Sequence, residues 1–460
     1  MTFTSWPFAA LVVIVFGAYY VPGLRAYQVQ LLVLASLFFY GFGQPELLPL
    51  LAIAVFGTYL FLGLSLKNRP LWLPIGIVFN LGLLAFFKYK FPIIDPAQPA
   101  LSAIPAIDFL LRLPLPIGIS FFVFHNISLL VDVTRREQTP PDLLSVFLYI
   151  IFFPQLVSGP ITRAENFLPQ IKPKFLIDVP MVEAAKWIVV GYFFKLYVAN
   201  NLNEMTGYMA FPYYETVRTA DKWLLVVLYS YQIYADFFGY SAIAVGLGLL
   251  FGYRLPVNFN LPYISQSFAE FWTRWHISLS SWLRTYLYIP LGGNRYGSLR
   301  TRINLMIVMG LGGLWHGAGI SYLMWGAMHG ILLVFERPFL RSFDSLGTGR
   351  PWLIPTIRAV RITFVFVCVS LLWIFFKLPN FEHATDYLAG MFSHNANPNP
   401  VKFFNSLALM YSLPVILQHF SSGLLTGPAW KAVEPFSYGL MIALMIVEAG
   451  PDTSFIYFQF

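Results

Sequence analysis

The sequence predicts an all-α protein that crosses a membrane many times. Of the 460 residues, 58% are hydrophobic and only 11% are charged, whereas soluble domains carry roughly 25% charged residues. A water-soluble chain of this length would need far more polar surface. Apolar stretches that approach the length of a bilayer span also recur along most of the chain. These observations together indicate a polytopic membrane protein.

The candidate spans follow from the need for about 20 largely apolar residues, with about 17 as a lower bound. In chain order they are 8–22, 29–43, 47–65, 71–87, 115–133, 144–158, 182–200, 222–250, 303–316, 319–335, 356–377, 403–423 and 432–448. Some of them, notably 144–158 and 303–316, are too short to cross, so we expect about 11 full spans together with re-entrant or interfacial helices. We predict one integral-membrane domain over residues 1–460, with a retained first span.

The segment 268–290 differs from the other candidates because it is amphipathic. At helical spacing, one face carries the polar residues Arg274, Ser278 and Ser281, and another carries the apolar residues Trp275, Leu279, Trp282 and Tyr286. Such a helix lies in the membrane interface or packs inside the bundle, and does not face lipid tails.

Composition also excludes several classes of function. The net charge of +8 is dispersed in loops, which is typical of topology-setting charge beside anionic lipid and not of a nucleic-acid surface. Part of it could help bind an anionic donor. The single cysteine, Cys368, rules out an internal disulfide and a cysteine cluster for zinc. The metal, phosphate-loop and serine-hydrolase motifs HExxH, GxxxxGK[ST] and GxSxG are absent, so we expect no metal.

Three polar clusters interrupt the apolar background, at 113–137, 152–171 and 268–305. The first contains His125 within a predicted span. In the second, Pro154, Gly159 and Pro160 break any helix in the middle of an apolar run. Broken backbone at membrane depth is tolerated only where it is buried in protein or lines a cavity. The clusters are therefore where a site is expected.

Two histidines follow the third cluster, His316 and His329, 13 residues apart. On one straight helix they would be about 20 Å apart along the axis and more than a third of a turn out of phase. The glycines around His316 make such a helix improbable. We therefore predict that His316 lies at a break or helix end and that His329 lies on the following span. A neutral histidine in an enclosed site can act as a general base towards an attacking hydroxyl.

Each histidine also has a structural interpretation. His276 could make only an interfacial hydrogen bond beside its neighbouring tryptophans. His329 could hydrogen-bond one span to another, and His125 could make a polar contact inside the bundle. His316 is the strongest candidate, because an ionisable residue inside a membrane usually belongs to a substrate or ion path.

Taken together, the motifs resemble the membrane-bound O-acyltransferase (MBOAT) family, most closely the bacterial branch that contains the membrane subunit of alginate O-acetyltransferase systems. The segments that carry the resemblance are PIGISFFVFHNISLLVDV, FFPQLVSGPITR, FAEFWTRWHISLSSWLRTYLYIPLGGNR, GGLWHGAGISYLMWGAMHG and the terminal FIYFQF. The resemblance is dense over residues 113–337. One departure is His125, where much of this branch has glutamine.

The resemblance implies a funnel-shaped bundle with a catalytic histidine near the middle of the membrane. It assigns that role to His316 and a second polar position to His276. Further residues expected to contact substrate are Arg274, Trp275, Trp315, His329 and His125. Acetyl-CoA is the implied donor, on the cytoplasmic side, and no bound cofactor is implied.

The expected function is transfer of acetyl groups across the bacterial inner membrane towards hydroxyls of an exported polysaccharide, through a periplasmic partner protein of the acetyltransferase type. Alginate, cellulose, peptidoglycan and other polysaccharides stay open as acceptors. A transporter or channel is an alternative, because broken helices and intramembrane histidines fit it equally well. A scaffold for a secretion complex is another.

Overall fold

The computed structural model describes residues 1–93, 105–135, 139–157, 159–393, 406–421, 428–453 and 455–456. Within these ranges the regular elements are helices and no β-strand is present, as the sequence predicts. Residues 136, 137 and 158, which belong to two of the polar clusters, lie outside the described residues. So do the ends of candidate span 403–423 and the last four residues of FIYFQF.

The α-helices are numbered in chain order. They are α1 (Trp6–Tyr19), α2 (Gln28–Gly41), α3 (Leu48–Lys67), α4 (Arg69–Ile93), α5 (Pro105–Arg112), α6 (Ile119–Arg135), α7 (Leu143–Ile151), α8 (Phe153–Leu156), α9 (Ala164–Phe167), α10 (Met181–Tyr192), α11 (Asn200–Thr206), α12 (Thr219–Leu250), α13 (Phe268–Arg274), α14 (Ile277–Leu283), α15 (Gly297–His316), α16 (Ile320–Gly347), α17 (Ile354–Lys377), α18 (Phe381–Gly390), α19 (Ser406–Phe420) and α20 (Pro428–Val447). Two π-helical segments, Phe193–Ala199 and Arg284–Tyr288, extend α10 and α14.

The long apolar helices make the chain a multi-pass membrane protein. In the described residues, five helical stretches are long and apolar enough to cross a bilayer: Pro45–Lys67, Arg69–Lys90, Thr219–Leu250, Pro351–Lys377 and Trp430–Val447. A sixth is possible if the pair Trp6–Tyr19 and Pro22–Gly41, which meet at a bend of 108°, counts as one broken span. The expected count of about 11 is not confirmed.

Three of the candidate spans differ in detail from the structure. The helices α1 and α2, expected as separate full spans, have only 14 residues each, because the chain turns sharply between them. The stretch 303–316, expected to be too short, is the second part of α15, which has 20 residues. The first turns of α15 carry Arg300 and Arg302, and these charged residues lie outside the apolar stretch from which the span was predicted.

The helices group into two compact units. The first contains Met1–Ile188 and Tyr240–Pro256, and the second contains Val189–Gly239 and Val257–Phe460. Helices α10 and α12 therefore contribute residues to both units. The expectation of one domain stays a prediction.

In the first unit, the predicted helix break after α7 is present. Helix α7 ends at Ile151, and α8 continues for only four residues. The backbone after α8 is held from inside, because the Thr162 amide donates to Nε2 of the buried His125 at 3.2 Å. The hydroxyl of Tyr149 donates to the Thr162 carbonyl at 2.8 Å. These bonds satisfy backbone groups that the interrupted helix leaves without helical partners.

In the second unit, a buried ion pair holds the segment that follows α20. Lys195 Nζ lies 2.7 Å from Asp236 Oδ1, and both side chains are almost completely buried. Lys195 also donates to the carbonyl and hydroxyl oxygens of Thr453, at 2.9 and 3.1 Å. The other oxygen of Asp236 accepts from the Ile456 amide at 2.8 Å. The two charges thus tie Thr453 and Ile456 to α12 and to the π-helical segment after α10.

Candidate active site

The site lies in the second unit, and its first component is a break in the amphipathic segment. The prediction of one helix over 268–290 is wrong, because α13 ends at Arg274 and α14 begins at Ile277. Between them His276 adopts a left-handed conformation with φ of 44°, which is uncommon for residues other than glycine. The two faces predicted across Arg274 and Ser278 therefore do not belong to one helix.

A preceding loop explains why the helix breaks here. The Asn258 carbonyl accepts from the Ile277 amide at 2.9 Å, and the Asn258 side chain accepts from the Ser278 hydroxyl at 2.6 Å. The Asn260 amide donates to the Arg274 carbonyl at 3.0 Å. These bonds replace the intrahelical bonds that a continuous helix would make. They place the ring of His276 in the protein interior, where it is 1% exposed.

The second component is the helical hairpin of α15 and α16. Helix α15 ends at His316, and α16 begins at Ile320 and carries His329. This is the arrangement that the glycines predict. The hairpin packs closely at Gly313 and Gly326, because a Cβ on Gly313 would lie 2.2 Å from the Tyr322 carbonyl oxygen and 3.1 Å from the Gly326 Cα. Only glycine at these two positions permits that approach.

Aromatic rings surround the three histidines of this unit that the sequence singled out. The ring centroid of His316 lies 5.1 Å from that of Trp325 and 5.1 Å from that of Phe376. On its other side Trp325 contacts His329, at 4.9 Å. One tryptophan thus separates His316 from His329.

His276 and His329 occupy different environments. The ring of His276 contacts Phe237 at 4.6 Å and Trp315 at 6.2 Å. His329 is fully buried beside Trp272, at 5.0 Å, and among the described residues neither of its ring nitrogens has a hydrogen-bond partner. The hydrogen bond between spans that was one interpretation of His329 is therefore not seen in the described part of the chain.

A mainly apolar cavity of about 260 Å³ opens beside His316. Its walls include Trp272, Leu279, Leu283, Met309, Gly312, His316 and Trp325, with Arg284 and Tyr288 also contributing. Gly312 leaves part of this space free, since a Cβ there would meet only Leu283, at 3.5 Å. A histidine in the wall of a mainly apolar cavity can act as a base towards a group bound there.

The structure places the predicted site residues unequally around this cavity. Of them, His316 alone is among its described lining residues. Trp275 is buried behind the site and contacts Trp373 at 4.9 Å. Arg274 is engaged in an ion pair with Glu270 at 2.9 Å. His125 belongs to the first unit, where its ring accepts from a backbone amide.

Sequence reasoning missed Trp325, Arg284 and Tyr288 as cavity residues. A signal for Trp325 existed, because it lies four residues before His329 and so on the same face of a helix. For Arg284 and Tyr288 the only signal was their position in the polar cluster 268–305.

Comparison with known proteins identifies the class of protein that this fold and site define. The model of the membrane-bound O-acyltransferase family matches residues 32–376. The chain therefore belongs to this family and is an O-acyltransferase. An enzyme of this class performs covalent transfer, so the transporter and scaffold interpretations lose support.

Individual relatives share most of their length with this chain. It is 38% identical to the probable alginate O-acetylase AlgI of Azotobacter vinelandii, over 85% of this chain and 78% of the relative. It is 36% identical to the peptidoglycan O-acetyltransferase of Helicobacter pylori, over 79% of this chain and 73% of the relative. It is 29% identical to the teichoic acid D-alanyltransferase of Bacillus subtilis, over 65% of this chain and 76% of the relative.

Proposed function

We propose that this enzyme passes acetyl groups from cytoplasmic acetyl-CoA across the bacterial inner membrane towards hydroxyls of an exported polysaccharide, with His316 as general base. The observation that carries the proposal is the position of His316, at a helix end and in the wall of an apolar cavity. The names of the relatives support acetyl transfer to a cell-surface or exported polymer.

The chemistry needs one base and no covalent enzyme intermediate. His316 takes the proton from the acceptor hydroxyl while its oxygen attacks the carbonyl carbon of the thioester. The carbon–sulfur bond then breaks, and the departing thiolate takes the proton from the imidazolium. The products are the acetyl ester and free coenzyme A. The mainly apolar walls disfavour water, which would otherwise compete with the acceptor as a nucleophile.

The remaining predicted residues support this centre. His276 orients or polarises donor or acceptor. Trp315 contacts the rings of both histidines, and Trp275 lies behind the site against Trp373. Arg274 stabilises α13 through Glu270. His329 packs against Trp325, which lines the cavity.

We further propose that the acceptor is alginate or a similar exopolysaccharide and that a periplasmic partner protein completes the transfer. The percentage identities to the alginate and peptidoglycan O-acetyltransferases are close, so both acceptors belong in the test. A cavity of about 260 Å³ favours a short acyl group.

The test is acetyl-CoA turnover by the purified protein in nanodiscs, in the presence of acceptor and a candidate partner. We expect His316→Ala and His316→Gln to lower kcat by about 10²–10⁴-fold, the usual contribution of a general base. His419→Gln is the matched control, because His419 is also buried in the second unit but lies outside the cavity beside His316. Equal turnover by His316→Gln and His419→Gln, in equally folded protein, would refute the mechanism. If acetyl-CoA stays intact in the presence of every acceptor, the result would favour a transport function instead.

A further inference from the structure

Two tryptophans in the wall of the cavity beside His316 carry hydrogen-bond donors that the described residues leave unused. Trp272 belongs to α13 and Trp325 to α16, and both side chains line this cavity together with His316. The Nε1 atom of each indole is shielded from solvent, and neither has a hydrogen-bond acceptor among the described residues. A buried tryptophan usually finds a partner for its N–H group. Two unused donors at one cavity therefore require a physical explanation.

The two indoles lie close to each other and to the candidate base. The ring centroids of Trp272 and Trp325 are 5.8 Å apart, and that of Trp325 lies 5.1 Å from that of His316. The cavity that the three side chains line has a volume of about 260 Å³. An acyl group bound in so small a cavity lies near the base and near both donors at once.

Packing and capping interactions hold both rings in place. Trp325 is 1% exposed, and its ring stacks on that of Trp373 at 5.6 Å. Trp272 is held through α13, because the buried Glu336 of α16 accepts from the first two backbone amides of α13 at 2.8 and 3.1 Å. Donors that are fixed before the reaction need no rearrangement when charge develops beside them.

The other polar side chains among the described lining residues are less suited to meet a developing charge. Arg284 is exposed and Tyr288 is half-buried, so water competes for both. The hydroxyl of Ser280 already donates to the Trp275 carbonyl, at 3.4 Å. The indole N–H groups are the buried donors that this part of the wall leaves for a ligand.

We propose that the N–H groups of Trp272 and Trp325 bind the carbonyl oxygen of the transferred acyl group and stabilise the negative charge that develops on it. As the acceptor oxygen attacks, the electron pair of the carbonyl π bond moves onto the carbonyl oxygen, and the two indoles donate to this oxygen without transferring a proton. When the pair returns, the carbon–sulfur bond breaks and its electrons leave with the thiolate. The indoles thus form an oxyanion hole. This inference rests on the proposed acyl transfer with His316 as base.

A structural interpretation of the indoles also exists. The ring of His329 contacts both of them, at 5.0 Å for Trp272 and 4.9 Å for Trp325, and its nitrogens are also without partners among the described residues. A small rotation would let one indole donate to His329, and the N–H group would then stabilise only the fold. In that case its removal would lower the melting temperature and leave kcat unchanged.

The experiment removes the donors and keeps the shape of the rings. Trp272 and Trp325 are each replaced by benzothienylalanine, an isostere of tryptophan in which sulfur takes the place of the N–H group. Trp272→Phe and Trp325→Phe are second variants that also lack the donor. The matched control is the isostere at Trp373, which is 1% exposed and contacts Trp325 but is not among the described lining residues of the cavity. The kcat, the KM for acetyl-CoA and the melting temperature are measured in nanodiscs.

We expect the isostere at Trp272 or at Trp325 to lower kcat by about 10²-fold, the usual effect of removing one oxyanion donor. The KM and the melting temperature should stay unchanged, because the contact strengthens only as charge develops in the transition state. The control at Trp373 should keep the kcat of the wild type. Unchanged kcat at both cavity positions, or a loss of kcat only in step with a lower melting temperature, would overturn the proposal.

A spectroscopic measurement separates this inference from the assignment of the base. The carbonyl stretch of isotope-labelled acetyl-CoA is recorded by infrared difference spectroscopy on His316→Gln, with and without each isostere. Hydrogen bonds from the indoles should lower this frequency, and each isostere should raise it again, whether or not His316 is the base. A frequency that neither isostere changes would overturn the proposal. If acetyl-CoA binds to none of these proteins, the proposed function itself fails and this inference fails with it.

Discussion

The ion pair between Lys195 and Asp236 gives the sharpest prediction for stability. The exposed fractions of the two side chains are 0% and 5%. Lys195 uses its three donors on Asp236 and on two oxygens of Thr453. Removing either partner leaves the other charge buried, which costs about 3–5 kcal/mol. We therefore expect Lys195→Met and Asp236→Leu each to lower the free energy of unfolding by that amount.

The double variant separates an ion pair from two independent packing contributions. It removes both charges, so no buried charge is left without its partner, although Thr453 and Ile456 still lose hydrogen bonds. We expect its loss of stability to be smaller than the sum of the single losses by about 2–3 kcal/mol. The assay is unfolding by SDS titration in mixed micelles, with the four proteins forming a double-mutant cycle. Additive losses, or single losses below about 1 kcal/mol, would show that the reasoning is wrong.

The same variants connect stability to the site. Asp236 precedes Phe237, whose ring contacts both Phe455 and the ring of His276, at 5.9 and 4.6 Å. Phe455 is fully buried. Loss of the ion pair should therefore loosen the support of His276 as well as that of Thr453 and Ile456.

Two further predictions concern the cavity and the helix break. Gly312→Ala places a methyl group in the cavity without a clash, so it should lower the use of butyryl-CoA relative to acetyl-CoA by about tenfold; it should also raise helix stability by about 1 kcal/mol. Gly310→Ala, whose Cβ would meet only Leu323 at 3.8 Å, is the control, and an equal effect on donor preference in both variants would contradict the assignment. His276→Asn should keep the fold, because asparagine tolerates a left-handed backbone, yet lower kcat by about 10²-fold through loss of a polarising group. Unchanged kcat with an unchanged melting temperature would show that His276 only packs.

Hydropathy and helix-breaking residues were sufficient to predict the class of protein and one part of the site. The long apolar stretches predicted membrane helices, because the need to satisfy backbone groups in lipid leaves the helix as the simplest solution. Glycines around His316 predicted the helix end there, and prolines after α7 predicted the second break. Both are local effects, since each depends on the conformational preferences of a few neighbouring residues.

The tertiary structure decided what local preference cannot express. The break at His276 depends on Asn258 and Asn260, which lie in a loop before α13. The cavity beside His316 needs Arg284 and Tyr288 to meet the face of α15 that ends at His316.

The most distant example is Lys195, which reaches Thr453 across 258 residues of chain. Hydrophobic periodicity reports which face of a helix is buried, but not which residues it meets. Partners far apart in sequence become visible only when the helices are packed.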